Sequence, residues 1–282
     1  MIESTFPHHL VQNAIEVALH EDLGLAGDIT GNAVLGADET MSSSITARQA
    51  GTIAGLPLAL ATFKALDPQI NLKKKMSDGD KVKPGDVVLI IKGNSRAILA
   101  AERVALNYLC HLSGVASLTQ KFVQQTSGTN AAICCTRKTL PGLRAFQKYA
   151  VRAGGGQNHR YGLDQALLIK DNHIASAGGI KQALEQVKKL ASHMVRIEIE
   201  VDTLAQLKTV MNYKVDAVLL DNMEPAQLEK AVALVDGRAI TEASGGVNLQ
   251  TVKEIAQSGV DLISVGALTH SAPVFDLGLD YR

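Results

Sequence analysis

Residues 195–221, VRIEIEVDTLAQLKTVMNYKVDAVLLD, decide the fold class of this chain. Two short apolar runs, 195–199 and 217–220, stand on either side of a segment, 203–211, whose apolar residues recur at helical spacing. Apolar runs that alternate with helices are typical of parallel strands joined by helical crossovers. The stretch therefore predicts one β-α-β unit of a parallel sheet.

The same alternation extends from residue 131 to residue 265. We expect strands at 131–135, 166–169, 195–199, 217–220, 239–241 and 262–265, and helices at 143–152, 180–190, 203–211, 225–235 and 249–257. These strands are fewer than the eight of a complete α/β barrel, so an incomplete barrel and a doubly wound sheet both stay open. Neither GxGxxG after a strand nor GxxxxGK[ST] occurs, which removes the usual signals of nucleotide-binding folds.

The first third of the chain mixes its elements irregularly. We expect helices at 8–20, 56–66 and 95–125, and strands at 43–49, 70–75 and 87–91, with turns over 78–86. Ser95 is a candidate cap for the long helix, which Ser113 and Gly114 could break. Strands and helices mixed in this way predict an α+β sandwich ahead of the α/β part.

Composition excludes several classes of protein. The 28 basic and 28 acidic residues give no net charge, so nothing overall attracts nucleic acid or an acidic membrane surface. A basic leader followed by an apolar stretch is missing, and so is any run of about 18 apolar residues. The three cysteines fit neither a disulfide framework nor a CxxC metal site. We therefore expect a cytoplasmic protein that binds neither nucleic acid nor membrane.

Polar residues follow each apolar run of the repeating part. Because the carboxyl ends of parallel strands meet at one mouth of a barrel, these residues are expected to share a pocket. Any one of them could instead be solvated, or structural, as in a Glu200 paired with a neighbouring strand's lysine. In chain order they are Thr136, Arg137, Lys138; Lys170; Glu200; Asp221; Ser244, Gly245, Gly246; and Gly266, Ala267.

The loop 153–162 adds His159 and Arg160 behind three glycines, which predicts a mobile basic loop that closes over an anion, unless it is a solvated linker. So many cations require a ligand with several negative charges, both carboxylate and phosphate. Glu200 and Asp221 would repel that ligand unless they face Mg²⁺, sugar hydroxyls or a developing positive centre at a sugar carbon.

Seven motifs strongly resemble the quinolinate phosphoribosyltransferase family, also called carboxylating nicotinate-nucleotide pyrophosphorylases. They occur in the family's order and extend over essentially the whole chain. They are TRKTLPGLR at 136–144, KYAV at 148–151, GGG at 154–156 followed by His159 and Arg160, LIKDNH at 168–173, EIEV at 198–201, LDNM at 220–223 and EASGG at 242–246.

The resemblance implies an N-terminal α/β sandwich over 1–112 and an incomplete α/β barrel over 113–269, with the tail 270–282 packed back on the first domain. It also implies a homodimer, alone or within a hexamer built from dimers. In that dimer Arg103, from the long helix, completes the site of the other subunit.

The reaction implied by the resemblance transfers the phosphoribosyl group of phosphoribosyl pyrophosphate to the ring nitrogen of quinolinate. Pyrophosphate and the 2-carboxylate, as carbon dioxide, leave, and nicotinate mononucleotide is formed on the route to NAD. The catalytic residues that the resemblance implies are Lys138, Lys170, Glu200 and Asp221.

Substrate contacts are carried over from the family in the same way. Arg103, Arg137, Lys138, His159 and Arg160 would hold the quinolinate carboxylates and part of the phosphates, with Thr136 as a further binding residue. Lys170 would reach the pyrophosphate, and Glu200 and Asp221 would face the ribose and its Mg²⁺, directly or through water. The 5′-phosphate would lie on Ser244, Gly245, Gly246, Val265, Gly266 and Ala267, with His270 at the same end.

Three alternatives stay open. A molybdenum-transport-associated relative would share the fold, although the retained Arg103, Lys170 and Glu200 argue against it. A barrel aldolase would use Lys170 as a Schiff-base nucleophile. A protein that only binds phosphorylated metabolites would have no use for the paired carboxylates.

Overall fold

The computed structural model of the chain describes residues 6–281, so residues 1–5 and Arg282, which belong to the predicted domain limits, lie outside the described residues. The chain divides into two compact units. The first is made of Met1–Leu118, as far as it is described, with Arg152–Gly155 and the tail from Ala272. The second consists of Thr119–Val151 and Gly156–Ser271.

The helices and strands occur along the described chain in the following order. They are α1 (His8–Leu23), α2 (Ile29–Val34), β1 (Thr40–Ala47), β2 (Gly51–Thr52), α3 (Leu56–Leu66), β3 (Asn71–Lys74), β4 (Lys81–Val82), β5 (Val87–Asn94), α4 (Ser95–Gln125), β6 (Ala132–Cys134), α5 (Arg144–Ala153), β7 (Leu167–Ile169), α6 (Asp171–Ala177), α7 (Ile180–Leu190), β8 (Ile197–Val201), α8 (Leu204–Val210), β9 (Ala217–Asp221), α9 (Pro225–Val235), β10 (Ile240–Ser244), α10 (Val252–Gln257), β11 (Leu262–Ser264), α11 (Ala267–His270) and β12 (Leu277–Tyr281).

The first unit is an α+β structure, as its mixed pattern predicts. Its main sheet has the order β12-β1-β5-β3, and each neighbouring pair is antiparallel. A second, two-stranded pair joins β2 to β4, so the segment 78–86 holds a short strand where only turns were expected. Aliphatic residues of β1 and β5 pack with Phe63 of α3 and with the buried face of α4, which makes one apolar core.

The long helix α4 runs without a break through Ser113 and Gly114. The Ser113 hydroxyl bonds to both backbone groups of Ala54, and a Cβ at Gly114 would lie only 2.1 Å from the carbonyl oxygen of Pro273. The small residues therefore admit close neighbours and do not end the helix. Its cap also differs from the expectation, because Asn94 Oδ1 accepts the N–H of Ala97 and the buried Ser95 hydroxyl has no partner in the described chain.

The second unit contains all of the predicted parallel strands, in the order β6-β11-β10-β9-β8-β7. Strands β7 to β11 lie side by side in chain order, and β11 then pairs with β6, the first of the set. The strand order of a doubly wound sheet reverses part-way along the sheet. Here no such reversal occurs, and the last strand, β11, lies beside the first, β6. The fold is an incomplete α/β barrel, open between β6 and β7 within the described residues.

Three strands reach further than their apolar runs. Glu200, Asp221 and Ser244 are the last or next-to-last residues of β8, β9 and β10, so they lie in the strands and not behind them. Their backbone stays paired, since Glu200 lies opposite Leu219 and Ser244 opposite Asp221. The apolar run ends earlier than the strand because these polar side chains face a cavity at the end of the barrel.

Several short elements lack a sequence signal. Helices α2, α6 and α11 are too short for a periodic apolar pattern to show. Strand β12 has only two apolar residues before Asp280, yet it pairs with β1 from Ser43 to Ala47. Among the described residues, no helix is both long and apolar enough to cross a bilayer.

Candidate active site

A cavity of about 420 Å³ lies at the carboxyl ends of the parallel strands in the second unit. Nine of the residues singled out in the sequence line it, which confirms that the strand ends converge. The lining residues are Thr136, Arg137, Lys138, His159, Arg160, Leu168, Lys170, Glu200, Leu219, Asp221, Glu242, Ser244 and Ser264.

Strand geometry explains which side chains reach the cavity. Successive side chains of a strand point to opposite faces, so residues two apart share a face. Leu219 therefore accompanies Asp221 on β9, and Glu242 accompanies Ser244 on β10. Sequence reasoning missed Leu168, Leu219, Glu242 and Ser264. For Leu219 and Glu242, counting back two positions from a predicted site residue would have found them.

The basic wall of the cavity has unused hydrogen-bond donors. Arg160 donates from Nη1 to the carbonyl of Ala166 at 2.7 Å, but its buried Nε has no partner within residues 6–281, and neither has the buried Nε of Arg137. Burial and the neighbouring charge of Arg137 lower the pKa of Arg160. Guanidinium groups that lie close together and repel each other are stabilised by an anion between them.

Lys138 is positioned through its backbone. Its N–H donates to Thr136 Oγ1 at 3.0 Å, and its carbonyl accepts the hydroxyl of Thr269 at 2.7 Å. A Cβ on Gly266 would lie 3.1 Å from Lys138 Cδ and 3.1 Å from His270 Nε2. The absence of a side chain at Gly266 therefore allows the lysine and the histidine to approach its backbone.

Lys170 and Glu200 form an ion pair across the cavity, with Nζ 2.5 Å from Oε2. The lysine side chain is 48% exposed and the glutamate side chain 10% exposed, so the pair connects the solvent side of the site to its floor. This is the structural pairing that the sequence left open for Glu200. It occurs between two residues that both line the cavity, so it also orients them for a ligand.

Asp221 is held by its neighbour Asn222. The amide Nδ2 of Asn222 donates to Asp221 Oδ2 at 2.6 Å, and its backbone N–H donates to the carbonyl of Ser244 at 2.8 Å. Asn222 adopts a left-handed backbone with φ of 53°. A Cβ at Gly245 would lie 2.1 Å from Asn222 Oδ1, so Gly245 is required by close packing as well as by its own φ of +91°.

A cluster of His159, Glu198 and Glu242 lies at the floor of the site. His159 Nε2 is 3.1 Å from Glu198 Oε2 and 3.7 Å from Glu242 Oε1, while Nδ1 accepts the backbone N–H of Arg160. Burial lowers the pKa of His159, but the carboxylates of Glu198 and Glu242 outweigh it and raise that pKa above its ordinary value. Burial and the charge of Glu198 raise the pKa of Glu242 to about 7, and Ser264 donates to it.

The loop that carries His159 and Arg160 lies against β6. Gln157 pairs with Cys134, donating to the carbonyl of Ile133 at 2.8 Å and accepting the N–H of Cys135 at 3.1 Å. A Cβ at Gly156 would lie 2.8 Å from Thr119 Cγ2 and 2.9 Å from Val151 Cγ1. At this position the glycine serves close packing, which is a different role from the mobility expected for the loop.

The remaining predicted residues do not line the cavity. Arg103 belongs to the first unit, where it is exposed on α4. Val265 is 1% exposed and its N–H donates to the carbonyl of Cys134, so neither its side chain nor its N–H is available to a phosphate. In the second unit the others follow β10 and β11: Gly245, Gly246, Gly266, Ala267 and His270.

Two family models match the chain at this site and around it. The C-terminal domain model of quinolinate phosphoribosyl transferase matches residues 115–280, and the N-terminal domain model matches residues 28–113. The chain belongs to the quinolinate phosphoribosyltransferase family. The resemblance seen in the motifs is thereby confirmed, together with the two-domain fold class.

Members of the quinolinate phosphoribosyltransferase family match the chain over nearly all of its length. The nicotinate-nucleotide pyrophosphorylase [carboxylating] of Mycobacterium leprae is 42% identical over 274 residues, 95% of this chain and 96% of its own. A Bacillus subtilis protein named as a probable nicotinate-nucleotide pyrophosphorylase [carboxylating] is 39% identical over 92% of this chain and 89% of its own. The crystal structure of the Ehrlichia chaffeensis nicotinate-nucleotide pyrophosphorylase has a TM-score of 0.93 at 38% identity and covers both chains completely.

Proposed function

We propose that this chain transfers the phosphoribosyl group of phosphoribosyl pyrophosphate to quinolinate and releases pyrophosphate and carbon dioxide. The product is nicotinate mononucleotide, in de novo NAD biosynthesis. The family assignment supports this reaction, as do relatives named for it at about 40% identity over most of the chain. The observation that carries the proposal is one cavity whose lining combines Arg137 and Arg160 with the strand carboxylates Glu200 and Asp221.

The two sides of the cavity suit the two halves of the reaction. Arg137 and Arg160, with Lys138, Thr136 and His159 beside them, bind the quinolinate carboxylates, because guanidinium groups bind carboxylates through paired hydrogen bonds. Glu200 and Asp221 face the ribose, where their negative charge stabilises the positive charge that develops at the anomeric carbon. Lys138 and Lys170 stabilise the leaving pyrophosphate.

The ribose 5′-phosphate binds at the ends of β10 and β11. Its partners are the backbone and side-chain donors of Ser244, Gly245, Gly246, Gly266 and Ala267, with His270 exposed at the same end. Loops after the last strands are the usual phosphate site of α/β barrels. Gly245 and Gly246 both have left-handed φ values, +91° and +62°, which turn the backbone sharply behind β10.

Glu200 and Asp221 fit a Mg²⁺ ion. In the described chain, Glu200 Oε1 and Asp221 Oδ1 take part in no hydrogen bond, since Lys170 and Asn222 bond to the other oxygen of each carboxylate. Two carboxylate oxygens, supplemented by water and substrate phosphates, are the ligands that Mg²⁺ prefers. Glu200 and Asp221 would hold the ion directly or through water, and its charge would then offset that of pyrophosphate.

We also propose how the chain assembles and where it is located. The active form is a homodimer, alone or in a hexamer of dimers, and Arg103 of one subunit completes the quinolinate site of the other. Its exposed position on α4, in the first unit and not in the unit that holds the parallel strands, supports a role outside its own barrel. A cytoplasmic location is supported by three buried cysteines without disulfides.

The Schiff-base alternative loses support from the ion pair of Lys170. A nucleophilic lysine must be free to attack a carbonyl carbon, whereas Lys170 Nζ is held by the Glu200 carboxylate. Borohydride trapping with carbonyl substrates should therefore leave Lys170 unmodified.

The proposed function is tested by incubating the purified protein with quinolinate, phosphoribosyl pyrophosphate and Mg²⁺. Pyrophosphate and carbon dioxide should appear in equal amounts. Omitting either substrate is the control, and chelation of the metal should reduce the rate. Pyrophosphate without carbon dioxide, or no turnover at all, would contradict the assignment.

A further inference from the structure

Lys148, on α5, is a fully buried lysine that the reaction described above does not use. Its side chain is 0% exposed. The ammonium Nζ donates to the backbone carbonyl of His159 at 2.8 Å and to Cys135 Sγ at 3.1 Å, and it lies 5.1 Å from the ring centroid of Tyr161. All of its near partners are neutral groups.

The burial of this ammonium is unusual because no carboxylate lies within ion-pairing distance of it in residues 6–281. Taking a charge out of water costs free energy that an ion pair ordinarily offsets. Here two hydrogen bonds and an aromatic face satisfy the ammonium, and the aromatic face contributes a favourable cation–π interaction. An apolar residue of similar length would avoid the desolvation cost, so packing alone does not explain a lysine at this position.

The contacts of Lys148 join two segments that supply the basic wall. Cys135 immediately precedes Thr136, Arg137 and Lys138, and the other two contacts, His159 and Tyr161, stand on either side of Arg160. One ammonium thus fixes the end of β6 to the loop 157–161.

Its charge also acts on the site from behind. The positive charge of Lys148 is one of the influences that lower the pKa of His159, against the raising effect of Glu198 and Glu242. A cation that is wholly buried is screened weakly by water and salt. It therefore adds positive potential to a cavity that binds anions without touching the ligand.

We propose that Lys148 is a positioning residue for quinolinate binding: it holds the segments that carry Arg137 and Arg160 in register and adds a buried positive charge behind them. The inference rests on the proposed function. It concerns the carboxylate side of the cavity and not the ribose side, so quinolinate binding should respond more strongly than phosphoribosyl pyrophosphate binding.

The test compares Lys148→Met, Lys148→Gln and wild type. Lys148→Met should raise KM for quinolinate about tenfold or more, since small displacements of binding groups have large kinetic effects. KM for phosphoribosyl pyrophosphate should change by less than about threefold, because uniform loss of binding would appear in both constants. Lys148→Gln keeps an N–H donor for the His159 carbonyl, so its effect should fall between wild type and Lys148→Met.

The matched control is Lys188→Met. Lys188 also lies over an aromatic ring, 5.2 Å from the centroid of Tyr213, but it is exposed on α7. This variant should keep both KM values. If Lys148→Met does not fold, Tyr161→Leu takes its place, because Tyr161 is 37% exposed and its replacement should be tolerated. In this variant the KM for quinolinate should again rise selectively, but by a smaller factor.

Equal rises in both KM values, or a quinolinate KM within twofold of wild type, would overturn the inference. An intermediate Lys148→Gln together with a selective quinolinate effect would support it. An inactive wild-type protein would instead overturn the proposed function, so the two failures are distinguishable.

Discussion

Replacing Gly245 with alanine should damage both stability and activity, while the same change at Gly259 should affect only stability. Both glycines have nearly the same left-handed backbone, with φ of +91° at Gly245 and +88° at Gly259. They differ in their surroundings. A Cβ at Gly245 would lie 2.1 Å from Asn222 Oδ1 and 3.0 Å from the Asn222 backbone nitrogen, whereas a Cβ at Gly259 meets only Val232 Cγ1 at 3.6 Å.

The magnitudes follow from these distances. A left-handed backbone costs an ordinary L-residue about 1–2 kcal/mol, and both variants bear that cost. Forcing a methyl group into an occupied position adds about 1–3 kcal/mol, and only Gly245→Ala bears this second cost. We expect Gly259→Ala to lose about 1–2 kcal/mol of unfolding free energy and Gly245→Ala about 2–5 kcal/mol, as the sum of the two effects.

Activity separates the variants further. Relief of the clash must move Asn222, whose amide orients Asp221 Oδ2, so Gly245→Ala should lower kcat by about tenfold or more. Urea unfolding followed by circular dichroism gives the stabilities, and pyrophosphate release gives kcat. Equal stability of the two variants together with full activity of Gly245→Ala would refute the packing argument, because Asn222 would then have room to give way at no cost.

Further predictions concern the substrate, the carboxylates, the subunits and pH. Nicotinate, which leaves a basic group unpaired, should be used at least about 30-fold less efficiently than quinolinate, by kcat/KM, since an unpaired buried charge costs about 2–5 kcal/mol; comparable turnover would contradict this. Glu200→Ala and Asp221→Ala should depress kcat more than they raise KM for quinolinate, and non-additively if they share one metal or ribose; an effect on KM alone would assign them to ground-state binding. Arg103→Ala and Lys170→Ala homodimers should each be nearly inactive, but a mixture of the two should recover about one quarter of wild-type activity on subunit exchange. The reason is that about half of the dimers are then heterodimers, each with one intact site. No recovery despite exchange would place Arg103 outside the partner's site. Burial raises the pKa of Glu242 to about 7, so its protonated form stabilises the fold fully below about pH 4.5, and that contribution is lost as pH rises to about 7. The urea midpoint of the wild type should therefore fall over this pH range, and Glu242→Gln should make the fall less steep. An unchanged slope would refute the raised pKa of Glu242.

Much of the second unit follows from local sequence. Helices α7 and α9 have the predicted limits, and every parallel strand lies on an apolar run, because period and length are properties of neighbouring residues. The convergence of Arg137, Lys170 and Asp221 follows as well, since parallel strands end on one side of a barrel.

Other features of the site depend on long-range packing. The sequence indicates Glu198 and Glu242 only as parts of motifs, and their proximity to His159 arises from the pairing of strands far apart in the chain. From the sequence, Lys148 is one more positive charge on a predicted helix. In the structure its side chain is buried and donates to the His159 carbonyl beneath Tyr161.

The sequence by itself therefore determined the parallel strands and the longer helices of the second unit, the polar ends of those strands and, through its motifs, the family. Only the tertiary structure decided where the barrel opens, between β6 and β7, and which buried polar atoms lack a partner among residues 6–281, such as Nε of Arg137 and of Arg160. The physical reason is how far apart in the chain the interacting residues lie. Hydrophobic periodicity is set by residues a few positions apart, whereas burial, hydrogen-bond satisfaction and charge proximity are set by contacts between segments that the chain brings together only on folding.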